Sequence, residues 1–396
     1  MRVSETVTVA GIGADGWAGL CRDAREAITC ADVVYGGPRQ LALIGDHPGK
    51  RPWPSPLLPA LDALFDEPGR ICVLASGDPM LAGIGTTLVR RLGADRVRIL
   101  PGVSSVALAR ARLGWSAEET DVVRVVGHSA DRVTRALAPG ARLLVLSGDA
   151  STPAVLAALL RRTGYGPSRM TVLEELGGPG ENHADGTADD WARAEGAALN
   201  LIAVDCERAP GARFLPTLPG LPDDAYEHDG QLTKRDLRAL ALARLAPAPG
   251  EVLWDVGAGA GSVGIEWMRA HPRNRAIAVE RDPERAARIE RNATALGVPD
   301  LDVVVGEAPG ALADLAAPDA VFVGGGLTAA LPACLARKPG RLVAHGVTVE
   351  SEQLLAAAHR DHGGELTRVA VEQAAPLGGF TGWTPSRTVT QWSVTR

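Results

Sequence analysis

The stretch Val252-Leu-Trp-Asp-Val-Gly-Ala-Gly-Ala-Gly261 constrains this chain more than any other. It reads as an apolar strand, a carboxylate at Asp255, and glycines at alternate positions, Gly257, Gly259 and Gly261. A strand that turns sharply beneath a bound small molecule needs residues without Cβ. Open α/β sheets take their ligands at the carboxyl ends of strands, which is where Asp255 falls. The expectation is a nucleotide-like cofactor over this turn. A second turn of the same kind follows the first strand, in Val7-Thr-Val-Ala-Gly11-Ile-Gly13-Ala-Asp-Gly16. Gly11, Gly13 and Gly16 share with Gly259, Gly261 and Gly264 the spacing of a dinucleotide fingerprint, a weak signal taken alone. The alternative for either is a tight turn with no ligand. Two such turns imply two α/β units, each with its own crevice.

At 396 residues the chain exceeds one ordinary core, and its 46% hydrophobic content lets each half bury one. Aromatics make up 4% and the net charge is −6, which disfavours base stacking and non-specific binding to nucleic acid or an anionic membrane. The five cysteines (Cys21, Cys30, Cys72, Cys206, Cys334) are scattered without a CxxC pair. Neither a disulfide framework nor a metal site is expected. No apolar run reaches the length of a membrane span, and Met1-Arg-Val-Ser-Glu-Thr leads straight into a strand. The expectation is a soluble cytoplasmic protein.

Residues 1–206 alternate short Val/Ile/Leu-rich strands with Ala/Arg/Leu helices, which predicts βαβ units and a mainly parallel sheet. A change of character between Gly93 and Thr120 predicts two lobes, about 1–115 and 116–207. Pro210, Pro216, Pro219 and Pro222 mark residues 208–222 as a semi-rigid linker. A second α/β series follows over 223–396. Two late strands, near Glu365–Gln373 and Ser386–Val394, are expected to pair antiparallel at its sheet edge. Glu280 ends the strand after the glycine turn, 23 residues beyond Gly257, and suits a carboxylate accepting both ribose hydroxyls of an adenosine. Its alternative is a solvated glutamate before the helix opened by Asp282-Pro283. Gly306-Glu307-Ala308-Pro309 follows the third strand, where an adenine edge would lie, and Gly324-Gly-Gly326 allows another close backbone approach. In the first half, a buried strand breaks at Gly77-Asp78-Pro79, and Ser104-Ser105 offers two hydroxyls after another. An Asp-Pro turn and a serine helix cap are the plain alternatives.

Asp255–Gly261, Glu280 and Gly306–Pro309 together resemble the class I S-adenosylmethionine methyltransferases. Leu221-Pro-Asp-Asp224, Leu232-Thr-Lys234, Gly324-Gly-Gly326 and Val347-Thr-Val-Glu350 look like their decarboxylating corrin-pathway members, over about 221–396. The resemblance implies cofactor contacts from Thr233, Asp255, Gly257, Gly259, Gly261, Glu280, Glu307, Ala308 and Gly324. His345 stands where that family has Asn, and reads either as a substrate-polarising group or as a satisfied histidine at a strand end. Gly11-Ile-Gly13, Gly77-Asp78-Pro79 and Ser104-Ser105 resemble the tetrapyrrole methylase superfamily (class III methyltransferases), whose cofactor lies in a trough between two α/β lobes. In that fold the first glycine loop is not a phosphate cradle. Tyr35-Gly-Gly-Pro-Arg39, Trp53-Pro-Ser-Pro56 and Leu176-Gly-Gly-Pro179 look like its corrin-pathway branch, over about 6–206. There the implied cofactor residues are Gly11, Gly13, Asp78, Pro79, Ser104 and Ser105.

The two resemblances in one chain imply a tetrapyrrole methylase fold followed by a Rossmann-like class I domain, with one S-adenosylmethionine per domain. The implied activity is methylation of a precorrin at meso positions 5 and 15, with decarboxylation of the ring C acetate, in cobalamin synthesis. Such a product stands at the precorrin-8X level. The resemblance implies that position 15 and the decarboxylation fall to the C-terminal half, and position 5 to the N-terminal half. A substrate rich in carboxylates needs cationic groups at each mouth, for which Arg39, Arg51, Lys234 and Arg235 are the candidates beside ordinary surface charge. Lys234 and His345 are the candidates for catalysis. The corrin-pathway resemblance implies a homo-oligomer, while the acidic charge, few aromatics and lack of a long apolar run lead to the expectation of no nucleic-acid or membrane partner. Three rival readings are a two-domain NAD-dependent dehydrogenase, an RNA or protein methyltransferase using only the second half, and a binding protein without turnover.

Overall fold

The computed structural model describes residues 6–62, 64 and 69–396, so residues 1–5, read above as leading into the first strand, lie outside the described residues. The chain divides into two compact units, residues 1–130 with 136–212, and residues 131–135 with 213–396.

The first unit holds two sheets. In the first, β1 (Val7–Ile12), β2 (Val33–Gly36), β3 (Lys50–Pro52), β4 (Ile71–Ser76) and β5 (Val97–Leu100) pair in parallel, in the order β3-β2-β4-β1-β5. The central strands β1 and β4 are apolar on both faces and almost wholly buried, as a strand covered by helices on both sides must be. The second sheet joins β6 (Thr120–Arg124), β7 (Arg142–Leu146), β8 (Arg169–Glu174), β9 (Asn182–Thr187) and β10 (Asn200–Asp205) in the order β6-β7-β10-β8-β9. Only β6 and β7 are parallel; the other pairs are antiparallel. This corrects the expectation of a mainly parallel sheet throughout the first half. β8 and β10 are short apolar runs buried on both faces, and such runs look alike whichever way their neighbours point. β9, Asn-His-Ala-Asp-Gly-Thr, is a polar edge strand with no strand-forming pattern.

The second unit is built on β11 (Val252–Val256), β12 (Arg275–Glu280), β13 (Asp302–Val305), β14 (Ala320–Val323), β15 (Arg341–Gly346), β16 (Glu365–Val369) and, after a separate hairpin of β17 (Glu372–Leu377) and β18 (Phe380–Pro385), β19 (Val389–Thr395). The seven-stranded order is β13-β12-β11-β14-β15-β19-β16. Pairing is parallel as far as β15, and β19 runs antiparallel to both β15 and β16, as expected for the two late strands. Alternate residues face opposite layers: Leu253 joins a core with Leu242, Trp267 and Ile289, while Trp254 joins one with Leu331, Leu355 and Trp392. From β11 the chain winds outward through β12 to β13, then returns to β14 on the other side. β11 and β14 therefore flank the switch point at which open α/β sheets hold ligands.

The proline-rich stretch is less of a spacer than its composition suggests. Leu221 is buried in the second unit's core, and the buried Arg269 donates to the carbonyls of Leu215 (2.8 Å) and Pro216 (3.3 Å). Among the described residues no helix is long and apolar enough to cross a membrane.

Candidate cofactor and substrate sites

In the second unit the turns leaving β11, β12, β13 and β14 are tied to one another through the backbone. Gly257 N donates to Val279 O, Gly306 N to Glu280 O, and Gly324 N to Val256 O, each at 2.9 Å. Gly257, Gly259 and Gly261 have φ of +70°, +60° and +76°, a region closed to most side chains. The protein itself, and not only a ligand, demands glycine here. A Cβ on Gly257 would lie 2.7 Å from Gly325 N, one on Gly259 2.7 Å from Gln231 O, and one on Gly261 2.6 Å from Ile289 Cγ2.

Glu280 is 4% exposed, and its two carboxylate oxygens accept Gly259 N (2.8 Å) and Asp282 N (3.2 Å). A carboxylate has about four acceptor sites, so capacity for two hydroxyls remains. Asp255 lies deeper, at 1% exposure. Its Oδ2 accepts Gly264 N at 2.8 Å, and its Oδ1 is buried without a partner. Burial pushes this carboxyl up to about 7, with the nearby charge of Glu280 adding to the shift and the Gly264 amide opposing it. Thr233 is half-buried, two residues from the carbonyl that crowds Gly259. Ala308 is half-buried after β13, whereas Glu307 turns outward and pairs with Arg281 at 3.7 Å.

His345 is 9% exposed near the end of β15. The register pairs Val323 with Ala344, which sets His345 level with Gly324. Its Nε2 lies 2.9 Å from Gln391 Oε1 and its ring meets Phe322 edge-on at 5.1 Å. Burial lowers its pKa, and the Gln391 contact opposes that shift, so the imidazole is neutral at physiological pH. Lys234 precedes the helix Arg235–Leu245, with its ammonium half-exposed 3.7 Å from Asp223 Oδ2, and Arg235 is exposed in the first turn.

Sequence reasoning missed what holds Thr233 and Lys234 in place. Arg238, fully buried, donates from Nε to Glu266 Oε1 (2.6 Å), from Nη1 to Asp223 Oδ1 (3.3 Å) and to Thr233 O, and from Nη2 to Leu221 O. Glu266 also accepts Gly220 N (2.6 Å), Leu221 N (3.0 Å) and the Tyr226 hydroxyl (2.8 Å). No motif marks this pair in the sequence.

In the first unit, Gly11, Gly77 and Gly102, from the ends of β1, β4 and β5, pack backbone to backbone. A Cβ on Gly11 would lie 1.9 Å from Gly77 O and 2.4 Å from Gly102 N. Next to them a cavity of about 100 Å³ is lined by Gly13, Arg39, Ser76, Val103, Ser105 and Leu173 among others. A broader trough of about 780 Å³ runs past Trp53, Met80, Leu81, Arg90, Val122 and Arg124. Asp78 and Pro79 shape the adjoining loop without lining the small cavity: Asp78 Oδ1 accepts Met80 N at 2.8 Å, and Pro79 is buried. Ser104 caps the helix Ser105–Leu113 by accepting Ala107 N at 3.1 Å. Arg39 Nη2 donates to Ser76 Oγ at 2.7 Å, while Arg51 is exposed on β3 and lines neither cavity.

Both cradles have backbone corners that admit no Cβ, and the second unit adds a carboxylate with acceptor sites to spare, which suits the hydroxyls of a nucleoside. Residues 6–192 match the family described as Tetrapyrrole (Corrin/Porphyrin) Methylases, and residues 224–396 the one described as Precorrin methyltransferase domain. A precorrin-6Y C(5,15)-methyltransferase (decarboxylating) of Sinorhizobium sp is 47% identical, over 100% of this chain and 97% of its own length. A probable cobalt-precorrin-6B C(15)-methyltransferase (decarboxylating) of Pyrobaculum calidifontis is 38% identical over 41% of this chain and 89% of its own. A cobalt-precorrin-7 C(5)-methyltransferase of Salmonella typhimurium is 33% identical over 43% and 85%. With a family model on each half and a full-length relative at this identity, the chain belongs to the decarboxylating precorrin-6Y C(5,15)-methyltransferases.

Proposed function

We propose that each unit binds its own S-adenosylmethionine, the first unit methylating position 5 of the precorrin and the second methylating position 15 and decarboxylating the ring C acetate. The observation that carries this reading is that each unit has its own glycine-cornered crevice at the carboxyl ends of its strands. Relatives that match less than half of this chain are named for one or other position, which supports the division.

The bound cofactor supplies an electrophilic methyl on a sulfonium. The nucleophile is a meso carbon made electron-rich by the ring nitrogens, so the chain's task is orientation and exclusion of water more than proton removal. Positioning of this kind lowers a barrier by roughly 7–11 kcal/mol. In the first unit Trp53, Leu81, Val122 and Leu146 give the trough an apolar lining for a flat macrocycle. In the second unit Glu280 and Thr233 hold the nucleoside, and the Lys234 ammonium takes a substrate carboxylate. His345, neutral and oriented by Gln391, polarises the substrate or holds a proton near the departing carboxylate. The conjugated macrocycle is its own electron sink for that loss.

A homo-oligomer belongs to the same proposal. The β17–β18 hairpin leaves Leu377, Phe380 and Trp383 exposed, and an isolated two-stranded hairpin is marginal in water. Calorimetric titration of the purified chain with S-adenosylhomocysteine tests the central claim. Two sites per chain are expected, and a single site in the presence of substrate overturns it.

A further inference from the structure

Ser76 closes β4 and, among the described residues, is the one residue that lines both the cavity of about 100 Å³ and the trough of about 780 Å³. It is exposed. Its Oγ accepts two hydrogen bonds, from Arg39 Nη2 at 2.7 Å and from Gln40 Nε2 at 2.8 Å. A serine hydroxyl has two lone pairs and one proton. With both lone pairs engaged, the hydroxyl can act toward a ligand only as a donor, and among the described residues nothing accepts its proton. The guanidinium donating onto the oxygen polarises the O–H bond and strengthens that donation.

Arg39, a candidate for meeting a substrate carboxylate, donates from Nη2 to Ser76, so part of its charge reaches a ligand through the serine. The trough around Ser76 mixes apolar side chains (Trp53, Leu57, Leu81, Ile84) with polar and cationic ones (Thr86, Thr87, Arg90, Arg124) in nearly equal measure. A flat macrocycle with peripheral carboxylates fits that pattern, with one anionic arm meeting the Ser76 hydroxyl where the trough and the smaller cavity adjoin.

We propose that the Ser76 hydroxyl donates to a carboxylate oxygen of the tetrapyrrole and so fixes which edge of the ring faces the methyl donor, with Arg39 and Gln40 as its positioning residues. This rests on reading the first unit as the position-5 site. The test uses full-length S76A and S76T with the precorrin substrate, KM and kcat being followed separately for positions 5 and 15 and S-adenosylhomocysteine sites counted by calorimetry. Removing a hydrogen bond to a charged group predicts a KM for position 5 raised about ten- to a hundredfold in S76A. S76T restores it, and position 15, decarboxylation and both cofactor sites are unaffected. An unchanged KM in S76A overturns the proposal, as does an S76T no better than S76A. Loss of one S-adenosylhomocysteine site in S76A also overturns it, by assigning the hydroxyl to the cofactor. If the parent chain itself never methylates position 5, the underlying reading fails and takes this proposal with it.

Discussion

Asp255 shows how one buried group can link the cofactor cradle to pH. Its carboxyl is pushed up to about 7 by burial, whereas in the unfolded chain it returns to roughly 3.9. Between those values the folded protein holds a proton that the unfolded chain releases. Its contribution to stability is therefore fully present below about pH 4 and is lost as pH rises through about 7, a change on the order of a few kcal/mol. Asp255→Asn keeps an oxygen for the Gly264 amide and cannot ionise. Thermal melting of this variant between pH 5 and 8 should depend on pH less steeply than that of the parent. Parallel curves would mean that the carboxylate is not desolvated in solution. The role expected of Asp255, a carboxylate facing the cofactor, was inferred from its place at a strand end. Its depth was not legible there, because burial depends on the helix Ser262–Ala270 folding back over it.

At the scale of elements, the glycine turn and the segment crossing it form one assembly. Gly257→Val forces a β-branched residue to φ +70° and against the Gly325 backbone. The turn should open, and titration with S-adenosylhomocysteine should fall from two sites to one while circular dichroism reports a largely intact fold. Arg238→Met leaves Glu266 buried without its countercharge, which costs about 3–5 kcal/mol. Melting should show that loss, and the double variant Arg238→Met, Glu266→Gln should recover part of it. If Arg238→Met melts like the parent, the pair does not hold the Leu221–Lys234 segment. The turn was legible in sequence because its signals are local: a strand, alternate glycines, and a carboxylate one strand later. Arg238 and Glu266 were not, since 28 residues separate them and each alone reads as surface charge. The β17–β18 hairpin carried a signal that went unused. Gly378-Gly379 is a two-residue turn between Leu377 and Phe380, which pair across it. The expected single strand ran past Glu372 into what is a separate ribbon.

At the scale of the whole molecule, the question is whether two activities in one chain need one another. Each unit has its own sheets and cores, and each matches its own family. Relatives aligned to 41% and 43% of this chain are covered by it over 89% and 85% of their own lengths, so folds of that size stand as separate chains elsewhere. Residues 213–396 expressed alone should therefore fold, bind one S-adenosylhomocysteine, methylate position 15 and release carbon dioxide. Residues 6–212 should bind one and methylate only position 5. The fusion would then serve to hold the second reaction near the product of the first, an effect of local concentration. That account predicts that an equimolar mixture of the two pieces forms the final product more slowly than the intact chain when dilute, and that the gap closes as both are concentrated. The readout is the mass of the product against time, which distinguishes one methyl from two and registers the lost carboxylate. A residues 213–396 piece that folds yet neither binds the cofactor nor decarboxylates would show that the units complete each other's sites. A mixture that matches the intact chain at every concentration would show that their joining has no kinetic consequence.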